Sequence, residues 1–347
     1  MLWVKGELLT DIDAPGVDPT GKLENAEQSI PFNRREWFRR VEAHDSETMA
    51  PIVARAASEG CLAWLFLARH NGDVSALSNW YTLAFRPVFA GDPDEVRKSA
   101  MLTAVAKRLR TAHPRISGIT LGPVPREDGT SDLLSRAFQK AGWATEVDQT
   151  STSWTANVAG MSFDEYWAAR PGQLRSTFKR KLGKAAFEVS ILTDFDDESW
   201  AAYEEVYADS WKPEEGSPEF LRDWAKSEAK AENLRLGLCK IDGETVAAQF
   251  WTVDQGVAYI HKLAHRESVK DLSPGTILSE ALFRRVIDVD HVHTIDFGTG
   301  NDTYKADWMD SSAPLDTVRA FNPVTFNGLL GAARARISRL VRKPRDD

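Results

Sequence analysis

Val292-His293-Thr294-Ile295-Asp296-Phe297-Gly298 runs into Thr299-Gly300-Asn301-Asp302-Thr303-Tyr304-Lys305, and this stretch decides how the second half of the chain is read. Val292–Phe297 reads as a strand that ends in a glycine-bearing loop; a short helix over Thr303–Met309 follows, and a last strand over Leu315–Phe321 closes this half. Gly298 and Gly300 permit backbone turns that other residues resist. In open α/β sheets ligands bind beyond the carboxyl ends of strands, so Asp296 and the residues after it lie where a site belongs. An aspartate at the end of an apolar strand is costly to bury unless paired, and Lys305 is its natural partner. On the residues alone, the pair either takes part in chemistry or fixes the loop.

Working upstream, Leu272-Ser273-Pro274-Gly275-Thr276 opens a helix expected to reach about Val289. Ser273 suits the N-cap, Pro274 the first helical position, and Gly275 lets a ligand approach the backbone. Free N–H groups and the positive helix end favour an anion such as a pyrophosphate. The bland alternative is an ordinary capped helix. Before it, Leu234–Ile241 and Glu244–Val253 form a hairpin around Asp242-Gly243, and Asp254-Gln255-Gly256 turns into a strand from Val257 to His265. Further upstream, helices are expected at Phe163–Gly183, Asp197–Trp211 and Pro218–Ala231, with a short strand at Phe187–Leu192.

The first half shows a comparable order. A stretch up to Ile30, rich in Gly, Pro, Asp and Glu, is expected to be irregular apart from a short strand at Met1–Val4. Asn33 with Glu36 reads as a capping box. Cys61–Arg69 and Ala76–Phe89 read as strands about an Asn71-Gly72-Asp73 turn. Helix Asp92–His113, strand Ile116–Leu121, helix Ser131–Ala141 capped by Gly142, and strand Ala144–Asn157 complete it. Its strand exit, Leu121-Gly122-Pro123, carries no acid or base.

The sequence Asp-Phe-Gly-x-Gly-x-Asp-x-Tyr-Lys from Asp296 to Lys305, followed by Trp308, resembles the end of the GNAT-like domain in the CelD/BcsL (cellulose biosynthesis acetyltransferase-like) group. The resemblance spans about Ser162 to Phe321. It includes the helix running into Leu174–Leu182, the hairpin Ala247-Ala248-Gln249-Phe250, and the Ser273–Thr276 helix start. FemAB-type aminoacyltransferases are related and place two such domains in tandem. The resemblance implies an α/β (mixed α+β) fold of tandem GNAT-like domains, each a mixed, largely antiparallel sheet flanked by helices. The expected boundaries are 1–158 for a degenerate first domain, 159–322 for the acyltransferase domain, and 323–347 for a basic tail.

It also implies acyl transfer from acyl-CoA (acetyl-CoA as co-substrate) to an amine or hydroxyl of a small-molecule or saccharide acceptor, in exopolysaccharide or cell-envelope biosynthesis. Asp296 or His261 would be the base, Tyr304 the acid or acceptor contact, and Lys305 would orient Asp296 or hold an anion. Lys270, Ser273, Gly275 and Thr276 would hold the donor's pyrophosphate, and Gln249 would face substrate. The chain departs from the family's Gln/Arg-x-x-Gly-x-Gly/Ala signature at this helix start, since Pro274 removes an N–H and only one glycine is present. Two further readings follow: aminoacyl transfer from tRNA, or a non-catalytic binding subunit on the same fold.

Arg175, Lys179, Arg180, Lys181 and Lys184 lie on a helix whose Leu174, Phe178 and Leu182 form an apolar stripe. The charges are either a solvated face or a patch for a phosphorylated acceptor. His261 and Tyr259 share one strand face. His291 and His293 lack companions for a tetrahedral metal set, so no metal is expected. The tail from Phe326 to Arg345 places Leu329, Leu330, Ala333, Ile337, Leu340 and Val341 on one side and arginines largely elsewhere. It either packs on its own protein or lies on an anionic membrane surface.

At 347 residues the chain exceeds what one hydrophobic core usually serves. A net charge of −8 argues against a general nucleic-acid coat and a DNA partner. Two cysteines, both in apolar runs, fit core positions and a reducing compartment. No stretch approaches the ~18 apolar residues of a membrane span, and a cytoplasmic location is expected.

Overall fold

A computed structural model describes residues 4–24, 27–45, 49–70 and 73–341, with side chains as far as 337. In chain order its elements are β1 (Lys5–Leu9), α1 (Arg35–Asp45), β2 (Met49–Ser58), β3 (Cys61–His70), β4 (Asp73–Ala76), β5 (Val88–Ala90), α2 (Glu95–Arg110), β6 (Gly118–Pro125), α3 (Thr130–Lys140) and β7 (Ala144–Asn157). Then come α4 (Phe163–Ala168), α5 (Gly172–Leu182), β8 (Phe187–Leu192), α6 (Asp197–Ala208), α7 (Pro218–Lys230), β9 (Leu234–Ile241), β10 (Glu244–Asp254), β11 (Val257–His265), α8 (Pro274–Asp288), β12 (Thr294–Thr299), β13 (Ser311–Phe321) and α9 (Phe326–Val341). Most of the strand expected at Met1–Val4, most of the turn at Asn71–Asp73 and the tail beyond Val341 lie outside the described residues.

The chain divides into two compact units, Met1–Ser151 with Ala313–Asp347, and Thr152–Ser312. Both are mixed, largely antiparallel sheets flanked by helices, as the sequence led us to expect. In the first, β2, β3 and β4 pair antiparallel, α2 crosses over, and β6 returns parallel to β4. In the second, β9, β10 and β11 pair antiparallel, α8 crosses over, and β12 returns parallel to β11. The Asp242-Gly243 turn has φ of 51° and 83° at its two residues, the left-handed conformations a tight hairpin needs.

The division differs from the expected 158/159 and 322/323 boundaries. Strand β13, read from the sequence as closing the second half, pairs antiparallel with β6 from Leu315↔Pro125 to Phe321↔Gly118, so most of it belongs to the first unit. Conversely the end of β7 pairs with β12 in the second unit. Helix α9 follows β13 into the first unit.

Other local differences have plain causes. The helix expected from Phe163 to Gly183 is two, because Pro171 cannot donate to a continuing helix. Ser162 caps the first of them with a full capping box to Glu165. Asn33 is buried in a 3-10 turn ahead of α1 instead of capping it, and Glu36 pairs with Arg40. The N-terminal stretch is less irregular than expected, since Lys5–Leu9 adds an edge strand to β2. Ala76–Phe89 forms strand only at its two ends.

The core of the second unit gathers Trp251, Phe283, Tyr166 and Trp308 around α8. Phe283 stacks on Tyr166 and on Trp308, with ring centroids 5.3 and 4.7 Å apart. Burying each large side chain contributes roughly 1.5–3 kcal/mol. Tyr166 Oη donates to the Trp308 carbonyl at 2.6 Å, and Arg170 donates there at 2.9 Å. The residues just after the Asp296–Lys305 segment are therefore locked into the core. Cys61 and Cys239 are buried, and burial pushes the Cys239 thiol up to about 12.

Candidate active site

Strands β11 and β12 pair only at Val257↔Thr294, Ala258↔Ile295 and Tyr259↔Asp296. Beyond that point β11 continues for six residues and β12 for three without pairing with each other, so the two strands part at Asp296. A register shift between Phe250 and Trp251 leaves His261 as the extra residue opposite β10, which aids the divergence. The parting of a parallel pair at its carboxyl end is the place where ligands of α/β sheets bind.

The Asp296–Lys305 segment closes one side of it. Asp296 Oδ1 accepts from the Gly298 N–H at 2.8 Å, and Gly298 and Gly300 have φ of 65° and 133°. Lys305 is buried, and its Nζ donates to the carbonyls of Phe297 at 3.0 Å and Thr299 at 2.7 Å. The lysine thus staples the loop through backbone acceptors. Desolvation lowers its pKa, while Asp302 and Asp296 work against that shift. Trp154 Nε1 donates to the Gly300 carbonyl at 2.8 Å and fixes the far end of the loop. The Tyr304 ring meets Phe297 edge-on at 5.8 Å; the residue is 40% exposed, and partial desolvation together with Asp302 raises the pKa of its phenol.

His261 is placed differently from expectation. Its Nε2 lies 2.8 Å from Thr252 Oγ1, and its ring packs on Trp224, Phe250 and Tyr259. Desolvation, reinforced by Lys262, pushes its pKa down to about 3. The imidazole is neutral at neutral pH but weakly basic, which suits it to packing better than to proton abstraction. Gln249 is fully buried and also structural. Its amide donates to Ser279 Oγ at 2.8 Å and the Gly275 carbonyl at 3.2 Å, and its oxygen accepts from Trp251 Nε1 at 2.9 Å. It therefore ties β10 to α8, with its polar atoms engaged inside the protein.

At the start of α8, Ser273 takes a left-handed conformation (φ 55°, ψ 47°), and its side chain caps nothing. Its carbonyl accepts from the N–H groups of Thr276 at 3.1 Å and Ile277 at 3.3 Å. Pro274 has no N–H, so Gly275 supplies the one first-turn donor not engaged in these bonds. Lys270 pairs with Glu267 at 2.9 Å. These residues make a thin cradle and fit a diphosphate poorly.

Of the basic helix α5, Arg175, Lys179 and Arg180 are exposed, and Lys181 donates to the Asp271 carbonyl just before α8. Leu174 is buried, whereas Leu182 is exposed, so the apolar stripe covers only the first part of the helix. Among the described residues no cluster of three His, Cys, Asp or Glu could hold a metal ion.

The structure adds a pocket that the sequence reading missed. A cavity of about 480 Å³ lies between α6 and α7 and is lined by Trp200, Tyr203, Tyr207, Lys212, Glu215 and Leu221, among others. Lys262, on the part of β11 beyond its pairing with β12, reaches Glu215 at 2.8 Å. Lys212 is lowered to about 8 by desolvation and by the charges of Lys262 and Lys305, against the pull of Asp302 and Glu215. Burial and the neighbouring Glu215 push the Tyr207 phenol up to about 12. The pocket is therefore electrostatically joined to the strand opening. Its signal in the sequence was Lys262, a charge inside the apolar run Val257–His265 that needs a partner.

Residues 172–306 match the family model of the acetyltransferase (GNAT) domain. No curated protein matches the chain in sequence. Among solved structures, FemX is similar with a TM-score of 0.57 at 10% identity, over 87% of this chain and 98% of that one. A tandem GNAT protein from the clavulanic acid biosynthesis pathway, solved without AcCoA, gives 0.52 at 13% identity over 91% and 98%. L-PGS from Bacillus licheniformis gives 0.52 at 13% identity over 86% and 96%. At such identities the likeness establishes a shared fold. Together with the domain match over residues 172–306, it gives the second unit the fold of a GNAT domain.

Proposed function

We propose that the second unit transfers an acyl group to an amine or hydroxyl of a small acceptor that carries an anionic group, bound in the α6–α7 pocket. The observation that carries this reading is the Lys212 side chain. Among the described residues it has no ion-pair partner within 4 Å, yet it lines the cavity and feels the charges of Lys262 and Lys305 at the strand opening. A carboxylate or phosphate on the acceptor would neutralise it. Trp200, Tyr203 and Tyr207 offer flat apolar walls for the rest of the molecule, including a sugar ring. The resemblance to the CelD/BcsL group extends the reading to a saccharide acceptor in exopolysaccharide or envelope biosynthesis.

In the proposed reaction the acceptor's nitrogen or oxygen attacks the acyl carbonyl carbon, and the bond to the donor's leaving group breaks. Asp296, where β11 and β12 part, takes the acceptor's proton, which passes to the leaving group. Tyr304, held protonated, donates a hydrogen bond to the charge developing on that group. Lys305 keeps the loop carrying both in place.

Acyl-CoA is the donor implied by the GNAT fold. A second reading, an aminoacyl ester of tRNA, is favoured by one observation: the thin donor set at the start of α8. A thermal-shift series with CoA, acetyl-CoA and longer acyl-CoAs separates the two, because a ligand of the folded state stabilises it by mass action. A dose-dependent rise with any of them supports acyl-CoA. A flat response throughout moves the donor to the aminoacyl ester. Turnover surviving intact in both Asp296→Asn and Lys212→Ala, with any substrate found, would remove the assignment of roles.

A further inference from the structure

We propose that α9 is a docking element for anionic lipid surfaces. The helix is held to the first unit by its smallest residues. Gly328, Ala332 and Ala335 are buried, and a Cβ on Gly328 would collide with the carbonyls of Asn322 and Ser117. Gly331 lies so close to the Phe321 ring that a methyl group would not fit. With the small face turned inward, the large apolar residues face solvent: Phe326 is 77% exposed, Leu329 56%, Leu330 42% and Ile337 60%. Val324, just before the helix, is also 52% exposed.

At 100° per residue, Phe326, Leu330, Ala333 and Ile337 fall on one strip, and Arg334 and Arg336 fall on its two opposite flanks. Both arginines are exposed, and the helix from Phe326 to Val341 contains no acidic residue. A protein core would be covered by the large apolar face, whereas here that face is outermost.

The flanking arginines decide the occupant. Two copies of this helix packed face to face would bring arginine against arginine with no acid to answer them. An anionic bilayer surface answers both features, taking the apolar strip at the acyl boundary and the guanidinium groups among lipid phosphates. No helix among the described residues is long and apolar enough to cross a membrane, so the contact is with the surface only.

The test is co-sedimentation of the full chain with vesicles of phosphatidylcholine alone, or of phosphatidylcholine with about one third phosphatidylglycerol, at low and high salt. Binding to the anionic vesicles is expected to exceed binding to the neutral ones at least tenfold and to fall with salt. Two double variants, Phe326→Ser with Ile337→Ser and Arg334→Glu with Arg336→Glu, should each lose that binding tenfold or more. Their thermal midpoints should stay unchanged, because all four side chains are exposed. The proposal is overturned if the wild-type chain shows no preference for anionic vesicles, or if the serine variant binds as well as wild type. It is equally overturned if sedimentation velocity shows a dimer that the serine variant abolishes, since the occupant is then a second copy.

Discussion

Lys212 and His261 are both basic side chains with depressed pKa values, and their surroundings give them opposite uses. Lys212 lines a cavity, so its ammonium is available to a ligand until it titrates near 8. Binding of an anionic probe such as inorganic phosphate is expected to be strongest below pH 8 and to weaken as the pH rises through it. Lys212→Arg should keep binding flat to beyond pH 10, and Lys212→Ala should weaken it about tenfold at pH 7, both read by calorimetry. His261 is packed among rings instead. The unfolded chain takes up its proton near 6.5, whereas the folded chain resists until about 3. The unfolded state therefore binds more protons across that window, and stability is lost as pH falls from 6.5 toward 3. His261→Leu should flatten this acid limb in denaturant titrations while leaving turnover at neutral pH within about threefold; a hundredfold loss would restore His261 as the base. Strand β12 and the glycine-bearing loop that leads to Lys305 were legible in sequence, but the lysine's carbonyl partners were not. They depend on how Gly298 and Gly300 turn the loop, which residue types alone do not specify.

At the scale of elements, the strands and helices of the second unit were read nearly as they stand, because Asp242-Gly243, Gln255-Gly256 and Ser273-Pro274 mark their ends chemically. What the pattern could not show is how a well-marked helix start binds. Ser273 is the right residue for an N-cap, yet its left-handed backbone turns the carbonyl, not the hydroxyl, toward the first turn. Gln249 explains part of this arrangement, since it grips both the Gly275 carbonyl and Ser279 from β10. Replacing it by leucine would leave the Trp251 N–H and the Ser279 hydroxyl buried without those partners, at a cost of about 2–4 kcal/mol. The expected result is a lower denaturation midpoint for Gln249→Leu together with weaker donor binding. Acceptor binding should be unchanged, since the pocket lies on α6 and α7. Loss of acceptor affinity alone, with stability retained, would return Gln249 to the substrate-contacting set.

The whole molecule is organised by an exchange of strands that no local pattern encodes. Residues 144–157 and 315–321 each read as a strand that finishes the half in which it lies, and hydrophobic alternation is silent about partners more than a hundred residues away. The structure carries β13 back to the first unit, where Asp316, fully buried, pairs with Arg126, and buried Asn322 donates to the carbonyls of Arg110 and Ile116. Removing that strand would expose the β6 edge and leave the buried backbone of the first unit without ladder partners. A chain ending at Ser312 is therefore expected to lose hydrogen-exchange protection throughout β2, β3, β4 and β6 while α8 and β9–β11 keep theirs. In calorimetry the first unit's transition should vanish and the second's remain. Loss of protection confined to the residues flanking the cut would mean that β13 is dispensable to the first unit. Loss spread evenly over both halves would mean that the two units unfold as one, and neither outcome is compatible with a division at 312/313.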